Sequence, residues 1–189
     1  MTITPSQIII ACWVIYVLYW NVSALSAKPV AERPSWTGTM WHRLPTLIGA
    51  VLMFLDRLPY PLEVRLTPDG RGAGYIGAAI CVLGLLVSIW SRRTLAGNWS
   101  AAVVFKEGHE LVERGPYRYV RHPIYTGLLL MCLGSAIPAG CVRSWLGLVL
   151  VFAGFWIKLR QEEVLMNRHF PNEYPSYQTR VKALIPFVF

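Results

Sequence analysis

Residues 124–157 read IYTGLLLMCLGSAIPAGCVRSWLGLVLVFAGFWI, and this stretch decides the fold. It carries one charge, Arg143, and two apolar runs, Ile124 to Ile137 and Cys141 to Ile157, parted only by Pro138-Ala139-Gly140. Such runs are membrane helices, and a three-residue break between them implies a tight helical hairpin.

Working outward, three more runs have the same character. Gly74 to Trp90 opens on glycines and ends at Arg92 and Arg93. Leu44 to Leu58 is shorter in its clean apolar part and is closed by Asp56, Arg57 and the Pro59-Tyr60-Pro61 break. Ile8 to Ala27 has no charge over about 20 residues, enough to cross about 30 Å of hydrocarbon as a helix. No basic segment precedes it, so it reads as a membrane anchor rather than a cleaved signal. The expectation is an all-α integral membrane protein of about five transmembrane helices in one domain over residues 1–189.

Composition agrees. The chain is 54% hydrophobic and only 15% charged, against about 25% charged in soluble proteins. Its net charge of +8 suggests nucleic acid in a soluble protein. Here basic loops at a membrane account for it, and nucleic acid is not an expected partner. Threaded through five spans, 14 of the 18 lysines and arginines fall on one side and 4 on the other. The positive-inside rule puts that richer side, with the C-terminus, in the cytoplasm and the N-terminus outside, in the plasma (inner) membrane. The four cysteines lie in or beside apolar runs without metal-ligand spacing, so they read as buried small hydrophobes and no metal is expected.

The richer side includes Glu107 to Gly127, EGHELVERGPYRYVRHPIYTG, a polar, aromatic and basic segment between apolar runs. Proline at 123 suits the first turn of the next helix. His122 then sits at its N-cap, where free N–H donors and the positive dipole end favour an anion. Tyr117 and Tyr125 offer aromatic faces for a purine or a sulfonium. An interfacial anchor of Tyr, Arg and His is the ordinary alternative, and the residues alone do not separate the two. Glu162 and Glu163, on the cytoplasmic continuation of the last span, are carboxylates for a ligand ammonium or ribose. A solvated charged face is the expectation for one of them. Lys158 and Glu162 share a helix face. His42, His109 and His169 read as loop histidines. Asp69 to Gly74 reads as a flexible turn, because no soluble helix or ribose-binding acid comes after it.

His109-Glu-Leu-Val112, Gly115-Pro-Tyr117 and Arg121-His-Pro-Ile-Tyr125-Thr-Gly127 together resemble the isoprenylcysteine carboxyl methyltransferase family and its phospholipid N-methyltransferase relatives. So do Arg160, Glu162-Glu163, Phe170, Glu173-Tyr174, Tyr177, Val181 and Pro186. Gly97-Asn98-Trp99-Ser100 is similar to prokaryotic members, and the resemblance covers about half the chain.

It implies a membrane enzyme using S-adenosyl-L-methionine in a cytoplasmic pocket, with residues 1–90 as three N-terminal spans and 91–189 as the cofactor-binding region. By position, cofactor contacts fall on His109, Leu111, Val112, Tyr117, His122, Pro123, Tyr125 and Glu162. The family's substrate-contacting arginine falls on Lys158, with Arg160 two residues on, so either cation orients the acceptor. The implied acceptor is a lipophilic or lipidated carboxylate reached from membrane lipid. Lipid amine methylation is the first alternative. An NADPH-dependent sterol-type reductase, which shares an Arg-His-Pro-x-Tyr segment, is the second.

Overall fold

In the computed structural model the described residues are 3–25, 30–32, 36–55, 58–99, 105–106 and 110–187. Helix α1 spans Pro5–Ala24, α2 Trp36–Phe54, α3 Arg71–Leu95, α4 Pro123–Ala139, α5 Val142–His169 and α6 Glu173–Arg180. Helices α1, α3 and α5 are each long and apolar enough to cross a membrane, while α4 is a shorter apolar helix. The molecule is therefore an α-helical membrane protein. Large side chains such as Ile10, Val17 and Leu18 of α1 and Val149 of α5 are exposed, which suits lipid contact.

Local chemistry sets the ends. Thr4 and Gln7 form a reciprocal capping box at the start of α1, with Pro5 in its first turn. The hairpin turn stands as expected: Gly140 takes a left-handed conformation, φ 65°, that suits glycine. The alternating Leu62-Glu-Val-Arg-Leu66 segment lies against that turn. Leu66 N–H donates to Gly140 O at 2.7 Å, and Val142 N–H donates to Val64 O at 2.9 Å. Arg143 then pairs with Glu63 at 2.7 Å.

The closest helix pairs are not the hairpin pair. Helices α3 and α4 run antiparallel with Gly84 facing Gly127 and Gly77 facing Gly134. A Cβ on Gly84 would stand 2.5 Å from Gly127 O, and one on Gly127 2.6 Å from Gly84 O. Helices α2 and α5 meet likewise at Gly49 and Gly147, each 2.6 Å from the other's carbonyl oxygen by the same measure. Small residues let backbones approach in lipid, where van der Waals packing rather than water exclusion drives association.

Several boundaries differ from the sequence reading. Helix α2 begins eight residues before Leu44, and His42 lies buried inside it rather than in a loop, with Nδ1 3.0 Å from Gln161 Oε1. The expected turn at Asp69 to Gly74 becomes helix from Arg71. His169 is the last residue of α5, not part of a loop. A short antiparallel ribbon, β1 Val30–Glu32 with β2 Phe105–Lys106, qualifies the all-α expectation. It ties the α1–α2 connection to the α3–α4 connection. The four cysteines are free and buried.

Candidate active site

The end of α3, the 110–122 segment, the start of α4, the C-terminal half of α5 and α6 surround a cavity of about 290 Å³. Tyr16 and Trp20 of α1 close one side. Buried Arg92 braces this wall: it donates to Ala96 O at 2.6 Å and to Ser23 O, and lies over the Trp99 ring.

Two neighbouring glutamates on α5 hold the centre. Tyr125 O–H donates to Glu162 Oε1 at 2.6 Å. His122 lies between the carboxylates, with Nδ1 3.6 Å from Glu162 Oε2 and Nε2 3.3 Å from Glu163 Oε1. The Tyr125 ring lies nearly parallel to the rings of His122 and Phe155, with centroids 5.7 and 5.1 Å away. Lys158 Nζ is 3.9 Å from Glu162 Oε1 and 5.3 Å from the centre of the Tyr125 ring.

Neither glutamate is the solvated one the sequence suggested. Glu163 is buried at 4% exposure and receives Arg121 Nε–H at 2.8 Å. Its surroundings come from distant chain, since α4's start brings Arg121 and His122 over it. The C-terminal segment holds that start in place. Arg121 N–H donates to Lys182 O at 2.8 Å, His122 N–H to Ala183 O at 3.0 Å, and Thr126 Oγ1–H to Leu184 O at 2.8 Å. Arg121 also donates to Val181 O, and Tyr177 O–H to Tyr117 O.

Burial works against charge on the His122 ring, but hydrogen bonds and charges from Glu162 and Glu163 outweigh it and raise its pKa above the ordinary histidine value. A raised folded-state pKa stabilises fully below the unfolded value, about 6.5, and that stability is lost as pH rises through the folded value. Wild-type protein in mixed micelles is therefore expected to unfold more easily as pH climbs above that window. His122→Gln should flatten this part of the profile; parallel profiles would remove the charged ring.

Of the positions singled out in the sequence, Leu111, Val112, Tyr117, His122, Tyr125, Lys158 and Glu162 line this one cavity. Pro123 is buried as the first residue of α4, behind the lining. Arg160 points away: its side chain is 65% exposed and lies against Trp156, with Glu163 Oε2 at 3.9 Å. His109 lies outside the described residues. Sequence reasoning missed Glu163 and Arg121 as a buried pair, and the aromatic wall of Tyr16, Trp20, Trp99 and Tyr174. A cation just ahead of the helix-opening proline was the only trace of the former. Among the described residues no three metal-ligating side chains converge.

The site can hold a cation against the Glu162 carboxylate and aromatic faces, and an anion against Lys158 and the α4 N-terminus. Comparison with known proteins agrees with that chemistry. The model of the phospholipid methyltransferase family matches residues 73–173, more than half the chain and the whole span from α3 to the start of α6. Protein-S-isoprenylcysteine O-methyltransferase A of Arabidopsis thaliana is 27% identical over 159 residues, covering 79% of each chain. A probable protein-S-isoprenylcysteine O-methyltransferase of Oryza sativa subsp. japonica is 26% identical over 142 residues, 72% of this chain and 74% of that one. An uncharacterized protein of Bacillus subtilis (strain 168) is 30% identical over 125 residues, 63% of this chain and 70% of that one. The chain thus belongs to the phospholipid methyltransferase family, and within it to the isoprenylcysteine carboxyl methyltransferase type.

Proposed function

We propose that this membrane methyltransferase uses S-adenosyl-L-methionine to esterify the carboxylate of a lipophilic, isoprenylcysteine-like acceptor. The observation that carries the reading is the Tyr125–Glu162–His122 cluster, with Lys158 beside it, facing one cavity at the start of α4.

The donor set fits the cofactor. Aromatic faces of Tyr125 and Trp20 suit a sulfonium and a purine, and Glu162 suits ribose hydroxyls or an ammonium. A volume of about 290 Å³ stands at the lower edge of small-molecule sites, about 300–1,000 Å³. Leu111, Val112, Tyr117, His122, Tyr125 and Glu162 would hold it, with His109 completing the set and Pro123 fixing the turn. When bound, the group supplies an electrophilic methyl. Tyr125 and His122 fix the Glu162 carboxylate by hydrogen bonds, so it is oriented before any ligand arrives. Lys158 supplies a cation on the same side, able to neutralise an acceptor carboxylate without a bidentate grip. Arg160, exposed, steadies Glu163. A carboxylate acceptor is ionised at pH 7 and needs no general base, so positioning and water exclusion are the residues' task.

The proposal includes five spans, with α2 and α4 completing the bundle at about 28 and 26 Å. The N-terminus is outside, and the site and C-terminus are cytoplasmic in the plasma (inner) membrane. The ribbon between the first and third connections, and the contact of residues 62–67 with the hairpin turn, support that threading.

Titration of purified protein with S-adenosyl-L-methionine tests the site. Tyr125→Ala and Glu162→Gln are each expected to weaken binding by about 1–3 kcal/mol, one buried hydrogen bond's worth. Unchanged curves for both would remove those assignments, and binding of NADPH in place of the methyl donor would favour a reductase.

A further inference from the structure

Outside the catalytic cavity, Arg118, Tyr119, Arg180, Lys182 and Phe187 line a second cavity of about 390 Å³. Three cations and two aromatic rings thus meet on one face of the C-terminal segment. Glu113 offsets one of them, accepting from Arg180 at 2.9 Å, so the patch stays positive. Among the described residues, neither of the other two cations takes part in the site's hydrogen bonds through its side chain.

The segment's alternation explains the placement. Val181, Ala183 and Leu184 are buried and give their carbonyls to Arg121, His122 and Thr126. Lys182, paired in parallel register with Val120 through its backbone, turns its side chain out. Leu184 O accepts from Thr126, inside the first turn of α4. The chain beyond Leu184 therefore runs at the depth where an apolar helix begins. Ile185 is exposed there, and Phe187 is 91% exposed. Large apolar side chains at that depth, beside three cations, match the two halves of a phospholipid: an anionic headgroup and the top of its acyl chains.

We infer that this face binds an anionic phospholipid, with the phosphate on Arg118, Arg180 and Lys182 and the acyl region against Ile185 and Phe187. The bound lipid is a structural partner, not the methyl acceptor, because the patch is lined by none of the catalytic cavity's residues. The inference rests on the membrane reading and not on methyl transfer. Since the same segment holds Arg121 and His122 by its backbone, a lipid that orders it also steadies the catalytic cluster.

Native mass spectrometry of the full chain, released from nanodiscs of equal phosphatidylglycerol and phosphatidylcholine, tests this. Wild-type protein is expected to retain phosphatidylglycerol in preference. Each cation contributes about fivefold, so Arg118→Gln, Arg180→Gln and Lys182→Gln combined should lose about a hundredfold in apparent affinity. Phe187→Ala should lose part of it, and Arg71→Gln, at the opposite end of α3, none. Equal retention of the two lipids by wild type, or unchanged preference in the triple variant, would overturn the inference. So would displacement of the lipid by millimolar inorganic phosphate, which would mean a site for a free anion.

Discussion

Glu163→Gln is expected to lower the protein's unfolding free energy by about 3–5 kcal/mol, the usual cost of removing one partner from a buried ion pair. Glu163 Oε1 alone meets Arg121 Nε at 2.8 Å and His122 Nε2 at 3.3 Å. A glutamine there leaves the buried Arg121 guanidinium with only neutral acceptors, its amide oxygen and the carbonyls of Val181 and Gln178. It also removes half the anionic surroundings of the His122 ring. Unfolding in mixed micelles by increasing dodecyl sulfate reads the loss. Conversely, a stability within about 0.5 kcal/mol of wild type would mean the pair is solvated, as for ordinary surface pairs. Methyl transfer measured below the unfolding range separates the effects, since Glu163 is a positioning residue and Glu162 faces the cavity.

The second large effect belongs to the helix seams. Gly127→Leu puts a side chain where even a Cβ would stand 2.6 Å from Gly84 O and 2.8 Å from Ser88 N. Both atoms are backbone of α3, which cannot yield as a flexible side chain can. Destabilisation at the top of the overpacking range, about 3 kcal/mol, is the expected result. The shift also moves Tyr125, two residues away, so cofactor binding should fall with stability. Gly72→Ala is the contrast: nothing lies within 4 Å of a Cβ there, and exchanging a helical glycine for alanine should gain about 0.5–1 kcal/mol. Equal tolerance of both substitutions would refute the close seam.

The hairpin and the third span were legible because both rest on local signals, an apolar run and its breakers. Seams were not. Gly77, Gly84, Gly127 and Gly134 stand in plain sequence at seven-residue spacing, but spacing does not name the partner helix. The structure pairs α3 with α4 and α2 with α5, where the short turn had suggested α4 with α5. Helix α2 was read short at its start because His42 looks like a loop residue when its contact with Gln161 of α5 is unseen.

The site divides in the same way. The convergence of His122, Tyr125 and Glu162 on one cavity was legible because the start of α4 marks the first two and the resemblance points to all three. Glu163 was half dismissed, since adjacent carboxylates on a helix usually leave one in water. Burial of Glu163 comes from Arg121, which the C-terminal segment holds in place, contacts that join residues 121 and 181–184 and leave no local trace. Lys158 and Arg160 could not be ranked from sequence. Three-dimensionally Lys158 shares Glu162's face and Arg160 lies on the far side of the helix.

Transfer of labelled methyl from S-adenosyl-L-methionine to a membrane extract, by wild type and Glu162→Gln side by side, tests the central claim most directly. Wild type should label the lipid fraction with a base-labile ester, and Glu162→Gln should label it far less at limiting cofactor. Label that resists base, or equal labelling by both proteins, would contradict the account.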